Sequence, residues 1–251
     1  MVCPLSAAAA GELKALLIGG VELADLSDPD AAATAIEAAA FVVNLEVRAS
    51  EVSPHADVVF PIAPVSEKAG SFVDWEGRVR PFESIFRDPG SLPDLRVLSG
   101  IAEEMGVNLG FRTVEQARAE MAQLGPWDGT RASAPTVPAA KQSKLGAGEA
   151  ILATWKLLID DARMLDGDEY LKATGRKPLA LVSAATLAGL GVAEGQSVTL
   201  STEFGWVDLP AGVADLPDGV VWAPTSSGGI RLLRDLGASS GSVVRLEGGT
   251  P

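Results

Sequence analysis

The sequence predicts an α/β protein, in which a parallel, Rossmann-like sheet domain is followed by a small β-barrel domain. The first third of the chain alternates strand and helix patterns, which is typical of parallel sheets. From Leu179 onward, short β runs recur at nearly regular spacing, as in small barrels. Between these regions, residues 126–148 are rich in Pro, Ala, Gly, Ser and Lys without an apolar period, which indicates a linker.

The predicted sheet domain covers residues 1–125. Apolar residues 15–18 end at two glycines, as a buried strand entering a tight turn does. Ser27-Asp28-Pro29-Asp30 supplies a capping residue and a proline at a helix start. Thr113-Val-Glu-Gln116 has the form of a capping box. The predicted elements are strand 15–18, helix 29–39, strands 41–47 and 56–62, and helices 93–105 and 113–124.

The predicted second domain covers residues 149–251. Apolar residues between Glu149 and Met164 recur at helical spacing, which predicts a helix with one buried face. Short apolar runs separated by glycine-rich turns then predict the barrel strands. These strands are 179–182, 197–200, 206–209, 220–223 and 243–246.

Composition restricts the function classes. The 251 residues carry a net charge of −13, so a nucleic acid backbone would be repelled. Apolar runs are shorter than the roughly 18 residues of a membrane helix, so no direct membrane insertion is expected. The first residues lack the basic region of a signal peptide, and the solitary Cys3 allows no internal disulfide. A cytoplasmic location is therefore expected.

The chain has few residues for catalysis or metal binding. Its one cysteine, Cys3, and its one histidine, His55, lie far apart in sequence, and a cysteine-ligated cluster needs more thiolates than this. No phosphate-binding loop, nucleophile elbow or dinucleotide fingerprint occurs. No catalytic residue and no metal site is predicted, and the chain alone is not expected to be an enzyme.

Two segments are the candidate binding sites. Glu67, Glu76, Arg78 and Arg80 lie beyond a predicted strand end, where ligands of parallel sheets bind. They would line a pocket, or they would form ion pairs that fix this corner of the fold. In the barrel domain, consecutive small residues could present backbone N–H groups to a phosphate, or form an ordinary turn. They are Thr225, Ser226, Ser227, Gly228 and Gly229.

Ordered motifs resemble the molybdopterin oxidoreductase superfamily. They are Ala56-Asp-Val-Val-Phe-Pro61, Glu67-Lys-Ala-Gly-Ser-Phe72, Asp74, and Glu76-Gly-Arg78. The segments Leu190–Val198 and Pro217–Val221 are similar to the C-terminal dinucleotide-binding barrel of that superfamily, which implies a double-psi-like barrel.

Within the superfamily, residues 67–86 and 153–176 look most like the iron–sulfur subunit designated G of actinobacterial NADH-quinone oxidoreductase, respiratory complex I. This resemblance implies the C-terminal part of a longer subunit, whose N-terminal part carries iron–sulfur clusters between NADH and quinone. The implied partners are the other peripheral-arm subunits, on the inner face of the membrane.

The resemblance also implies a cofactor pocket kept only as a remnant, without molybdopterin. Asp74 stands where the superfamily usually has Asn, so an amide is replaced by a group that only accepts hydrogen bonds when ionised. A phosphate would be disfavoured beside it. The residues of the remnant pocket would be Glu67, Gly70, Asp74, Glu76, Arg78, Ser226, Ser227 and Gly228.

Two alternatives remain open. The chain could be a fragment of a molybdopterin-dependent oxidoreductase, similar to formate dehydrogenase, that binds the pterin dinucleotide. It could also be a stand-alone α/β binding or assembly protein.

Overall fold

A computed structural model describes residues 4–26, 28–86, 90–136 and 144–249. The chain divides into two compact units, one containing residues 4–23 and 31–136 and the other containing residues 24–30 and 144–249. The predicted linker, 126–148, includes residues 137–143 outside the described ranges, so the predicted domain division stays a prediction. Cys3 and the predicted helix-capping Ser27 also lie outside the described residues.

The first unit contains a parallel sheet, a hairpin and the helices around them. Its elements are α1 (Pro4–Ala9), β1 (Ala15–Gly19), α2 (Pro29–Ala38) from residue 31 onward, β2 (Phe41–Glu46), β3 (Val58–Pro61), β4 (Gly70–Val73), β5 (Val79–Phe82), α3 (Asp94–Glu104) and α4 (Val114–Leu124). Short 3-10 helices lie at Ser53–His55 and Val65–Glu67, and a third, Leu23–Asp25, spans the division between the two units in the sequence.

Strands β1, β2 and β3 form a parallel sheet in that order. Ala15 is the partner of Phe41, and Val43 is the partner of Val58. The buried Asn44 donates its side-chain N–H to the Ile18 carbonyl across the β1–β2 pair, at 3.2 Å. The predicted alternation of strands and helices is therefore confirmed, and the structure differs from it by only a few residues at the element ends.

Helix α3 covers the sheet on the side of β2 and β3. Its Val97 and Ile101 pack with Val43, Leu45 and Phe60, whose side chains share one face of the sheet. Helix α4 begins with the predicted capping box, in which the Thr113 hydroxyl accepts the Gln116 N–H and the Gln116 side chain accepts the Thr113 N–H. Both predicted helices are confirmed.

The second unit is a closed six-stranded barrel with short helices. Its elements are β6 (Glu149–Trp155), α5 (Glu169–Lys172), β7 (Ala180–Val182), α6 (Ala184–Gly189), β8 (Ser197–Ser201), β9 (Trp206–Val213), β10 (Val220–Pro224), β11 (Ser226–Ser227), β12 (Ile230–Arg231), α7 (Leu232–Leu236) and β13 (Val243–Gly248). A 3-10 helix spans Arg163–Leu165.

The barrel strands follow one another in the order β10, β6, β13, β8, β9, β7. In chain order, the barrel strands form two sets of three: β6, β7 and β8, followed by β9, β10 and β13. Each pairing made by a strand of the first set has an equivalent pairing in the second set. Strand β6 lies parallel to β10 and antiparallel to β13, and β9 lies parallel to β7 and antiparallel to β8. The barrel thus repeats one pairing pattern twice, and the predicted fold class of parallel sheet plus small barrel is confirmed.

Alternate residues of the barrel strands point inward and form its core. Strand β9 shows this clearly, because Val207, Leu209 and Ala211 are buried while the residues between them are exposed. Leu232 and Leu236 of α7, both fully buried, belong to the same core. Such burial is the main stabilising contribution to a domain of this size.

The predicted helix 149–164 is wrong. Residues 149–155 form strand β6, and Ala150 and Leu152 face the core at a period of two. Strand β6 pairs with β10 on one side and with β13 on the other. Ala, Leu and Glu favour helices locally, but these long-range pairings override that preference.

Asp235 in α7 stabilises the turn that leads into this helix. Partial burial of its carboxyl raises the pKa, but hydrogen bonds from the Arg234 guanidinium and from the Arg231 backbone N–H outweigh this effect. The pKa of Asp235 therefore lies below its ordinary value of 3.8.

Candidate functional site

The first candidate segment is a β-hairpin rather than a loop. Strands β4 and β5 pair antiparallel, with Gly70 opposite Phe82 and Phe72 opposite Arg80. The Phe72 and Phe82 rings stack with centroids 4.9 Å apart. The Phe82 ring also lies over Gly70, since a Cβ added there would be 2.7 Å from the end of the ring. The absence of a side chain at Gly70 therefore allows the Phe82 ring to pack against the backbone there.

Asp74 organises the turn of this hairpin. Its Oδ1 accepts the backbone N–H groups of Glu76 at 3.0 Å and of Arg78 at 2.9 Å. The Arg80 Nε lies 3.7 Å from the second oxygen. Gly77 takes a left-handed conformation, with φ of 81°, that completes the turn. At position 74, this turn requires only a side-chain oxygen that accepts hydrogen bonds from backbone N–H groups. The carboxylate of Asp74 meets this requirement.

The remaining charges of the hairpin pair with each other. Glu76 forms an ion pair with Arg78, and more than half of the Arg78 side chain is exposed. Exposed pairs of this kind contribute about 0–1 kcal/mol. The almost fully exposed Trp75, which precedes Glu76, lies in the turn of the hairpin. The charges therefore stiffen a turn and leave an aromatic side chain uncovered.

The base of the hairpin is tied to α3, to α4 and to the segment that leads into α3. Lys68 forms an ion pair at 2.5 Å with Asp94, the first residue of α3. Glu67 accepts a hydrogen bond from the Ser91 hydroxyl at 2.5 Å.

Arg118 on α4 donates to the Gly70 carbonyl at 2.6 Å and to the Ser71 hydroxyl at 2.8 Å. Such charge-assisted bonds are among the stronger polar contacts in proteins. These contacts favour the interpretation in which charged residues fix a corner of the fold.

The second candidate segment is a tight turn of the barrel unit. Ser226 and Ser227 form β11, which pairs with β12, and Gly228 and Gly229 lie at the bend with φ of 65° and 82°. Pro178 packs so closely on Gly228 that an added Cβ would lie 2.7 Å from its ring. The Gly229 N–H already donates to the Asp161 carboxylate at 2.8 Å. A phosphate would have to displace this carboxylate.

A small cleft of about 220 Å³ lies beside this turn. Lys172, Arg176 and Lys177 line it together with Asp160 and Asp161. Cofactor pockets commonly have roughly 300–1,000 Å³. The cleft is therefore smaller than a common cofactor pocket, and three basic and two acidic side chains line it.

The structure thus brings five of the predicted site residues together around the hairpin: Glu67, Gly70, Asp74, Glu76 and Arg78. The other three, Ser226, Ser227 and Gly228, lie together at the barrel turn. Their assignment to a remnant pocket stays a prediction. Sequence reasoning missed Arg118 and Asp161, because the bonds that they make span 48 and 68 residues of chain.

Two negative findings concern the described residues. No three His, Cys, Asp or Glu side chains in these ranges are grouped as ligands of a metal ion would be. Each helix in the described part of the chain is too short or too polar to cross a membrane.

The comparisons with known proteins agree with the motifs. Residues 2–104 match the family model described as molybdopterin oxidoreductase. The chain is 48% identical to the subunit designated G of NADH-quinone oxidoreductase from Mycobacterium tuberculosis, over 98% of its own length. The chain is a relative of this oxidoreductase subunit. It is also 45% identical to the same subunit of Streptomyces coelicolor over 98% of its length. The predicted resemblance is confirmed.

The match covers only part of each oxidoreductase subunit. The chain spans 31% of the M. tuberculosis protein and 30% of the S. coelicolor protein. A solved structure, acetylene hydratase from Pelobacter acetylenicus, is similar with a TM-score of 0.59 and 16% identity, over 88% of this chain and 38% of that chain. At this identity the likeness supports the fold alone.

Proposed function

We propose that this chain is a structural part of the oxidoreductase subunit in an NADH-quinone oxidoreductase, and that it holds no cofactor of its own. Its role is to pack within the peripheral arm, on the inner face of the membrane. Electrons pass from NADH toward quinone through clusters held elsewhere in the subunit. The chain alone catalyses no reaction.

The observation that carries this proposal is the 48% identity over almost the whole chain to the M. tuberculosis protein. The aligned region extends through both units, so the similarity includes the barrel as well as the sheet. The hairpin and the residue inventory support the structural role without adding a reaction.

The hairpin supports a packing role. Its carboxylates and guanidinium groups are engaged in its own turn or with the nearby helices. Beside its charged side chains, the hairpin exposes the apolar side chains of Phe72, Val73, Trp75 and Val79. Exposed apolar side chains concentrated in one element favour a protein contact surface.

The residue inventory supports the absence of a cofactor of its own. One cysteine and one histidine are too few to ligate an iron–sulfur cluster from this chain alone. The barrel turn already uses its Gly229 N–H on the Asp161 carboxylate. Both observations favour a fold that keeps the architecture of cofactor-binding relatives for packing.

The experiment is affinity purification of the tagged chain from detergent-solubilised membranes of its host. Mass spectrometry identifies the bound proteins, and fluorescence of oxidised pterin together with elemental analysis of molybdenum quantifies the cofactor. A tagged acidic protein of similar size serves as the control. We expect other subunits of the oxidoreductase in fixed ratio and no stoichiometric pterin.

Two results would contradict the proposal, each in a different way. A chain that purifies alone would indicate an independent binding or assembly protein. One pterin dinucleotide per chain would indicate a molybdopterin-dependent enzyme fragment.

A further inference from the structure

Strand β1 is the outer strand of the parallel sheet. The strand order is β1, β2, β3, so β1 pairs with β2 on one side only. In the described part of the chain, no strand pairs with its other edge. The backbone groups along an outer edge are a template for a further strand.

The sequence of β1 is that of an inner strand. Its five residues, Ala-Leu-Leu-Ile-Gly, include no charge and no proline. Continuous apolar runs of this kind belong to parallel strands that are buried on both faces of the sheet. The opposite outer strand, β3, has only four residues and ends at Pro61, as protected sheet edges do. Strand β1 therefore lacks the protection that β3 has.

The face of the sheet beside β1 is also uncovered. Ala15 and Leu17 lie on the same face as their partners Phe41 and Val43. Helix α3 covers this face over Val43 and Leu45, but Leu17 is 52% exposed and Phe41 is 45% exposed. Parallel sheets occur almost only with both faces covered. Within the described ranges, this edge has neither a further strand nor a helix over Leu17.

We propose that the outer edge of β1 is a docking site for a parallel, apolar strand, and that a helix connected to that strand covers Leu17 and Phe41. The strand and helix come from the part of the oxidoreductase subunit that this chain does not span. This inference rests on the proposed function. It specifies the surface through which the chain joins the rest of its subunit.

Length and charge favour this partner over a second copy of the chain. The match covers 31% of the M. tuberculosis protein, so most of that polypeptide lies outside the matched region. Two copies would each carry a net charge of −13 and repel one another. Strands paired across a two-fold axis also commonly run antiparallel, whereas the sheet is parallel.

The test uses the full chain and, as its partner, the portion of the M. tuberculosis protein outside the matched region, produced as a separate polypeptide. Hydrogen–deuterium exchange follows the amides of residues 15–19 with and without the partner. Binding is measured for the unchanged chain, for Leu17→Glu and for Val107→Glu. Val107 is a matched control, because it is 51% exposed and lies outside the sheet.

We expect a one-to-one complex in which the β1 amides exchange at least tenfold more slowly. Leu17→Glu should raise the Kd at least tenfold, and Val107→Glu should leave it unchanged. A complex with unchanged β1 exchange and normal binding by Leu17→Glu would overturn this inference and leave the proposed function intact. Pairing of β1 with a second copy would also overturn it. Absence of the other oxidoreductase subunits in the purification described above would instead overturn the proposed function.

Discussion

Substitution of Gly70 by alanine should loosen the β4–β5 hairpin. The new Cβ would lie 2.7 Å from the Phe82 Cζ and 3.1 Å from its Cε1, whereas carbon atoms pack best at about 3.5–4.0 Å. The Phe82 ring must therefore move by about 1 Å. Moving it weakens the stacking with Phe72, an interaction worth about 0.5–1.5 kcal/mol. We expect the hairpin to lose about 1 kcal/mol of local stability.

Hydrogen–deuterium exchange of the hairpin amides measures this loss directly, because it reports the free energy of local opening. A loss of about 1 kcal/mol corresponds to roughly fivefold faster exchange. Gly100→Ala is the control. Gly100 lies within α3 with nothing within 4 Å of an added Cβ, so this change should stabilise the helix by about 0.5–1 kcal/mol.

A double-mutant cycle with Phe82→Ala separates ring packing from any other effect of the new methyl group. Without the Phe82 ring, Gly70→Ala should no longer accelerate exchange. The reasoning is refuted by unchanged exchange in Gly70→Ala. It is also refuted by an equal acceleration whether the ring is present or absent.

Three further substitutions test the barrel and the hairpin base. Leu152→Ala should cost about 2–5 kcal/mol in urea unfolding of the barrel, because the side chain is fully buried, while Leu158→Ala at a 96% exposed position should cost less than about 0.5 kcal/mol. Arg118→Ala removes two hydrogen bonds to the hairpin and should accelerate its exchange roughly fivefold, from a loss of about 1 kcal/mol; unchanged exchange would contradict the anchoring role. Asp235→Asn should lower the free energy of unfolding at pH 7 by about 1 kcal/mol. The wild-type carboxylate stabilises the fold above its unfolded pKa and loses this effect as pH falls through its lowered folded pKa. In urea titrations, the difference in free energy of unfolding between wild type and Asp235→Asn should therefore shrink below pH 3.8. A difference that does not change with pH would contradict this role of Asp235.

The sheet unit could be predicted from sequence because its patterns are local. Three patterns can each be recognised within about a dozen residues. They are a buried strand followed by glycines, a helix with a capping box, and a helix with one apolar stripe. Thr113 and Gln116 form the predicted reciprocal hydrogen bonds. The ends of these elements shifted, since ends depend on contacts beyond the pattern, and α1 and the β4–β5 hairpin were not among the predicted elements.

Strand β6 could not be predicted in this way. The apolar residues Ala150, Ile151, Leu152 and Trp155 fit a helical period as well as they fit a strand. The choice between the two is made by partners far along the chain, because Ile151 pairs with Val220 and with Val243. A window of local sequence contains neither partner.

The charged residues of the hairpin could be named from the sequence, but their geometry could not be predicted. Asp74 and Gly77 are turn residues, and with apolar residues on each side they indicate a hairpin. The six charged residues at positions 67–68 and 74–80 give no apolar strand signal of their own. The contacts that give these charges their role come from Arg118 and Asp94, and only the folded chain brings them near.

The two-sided pairing of β6 has a consequence for the order in which the barrel folds. Strand β6, which begins at residue 149, is the first barrel strand in the sequence. It can close the barrel only after β13, which ends at Gly248, has formed. Contacts of such high sequence separation form slowly, because a long loop must close before they are gained. During synthesis the edge of β6 that pairs with β13 therefore stays open until almost the whole barrel has left the ribosome. Protection of this strand by a chaperone or by early association would improve the yield of folded protein.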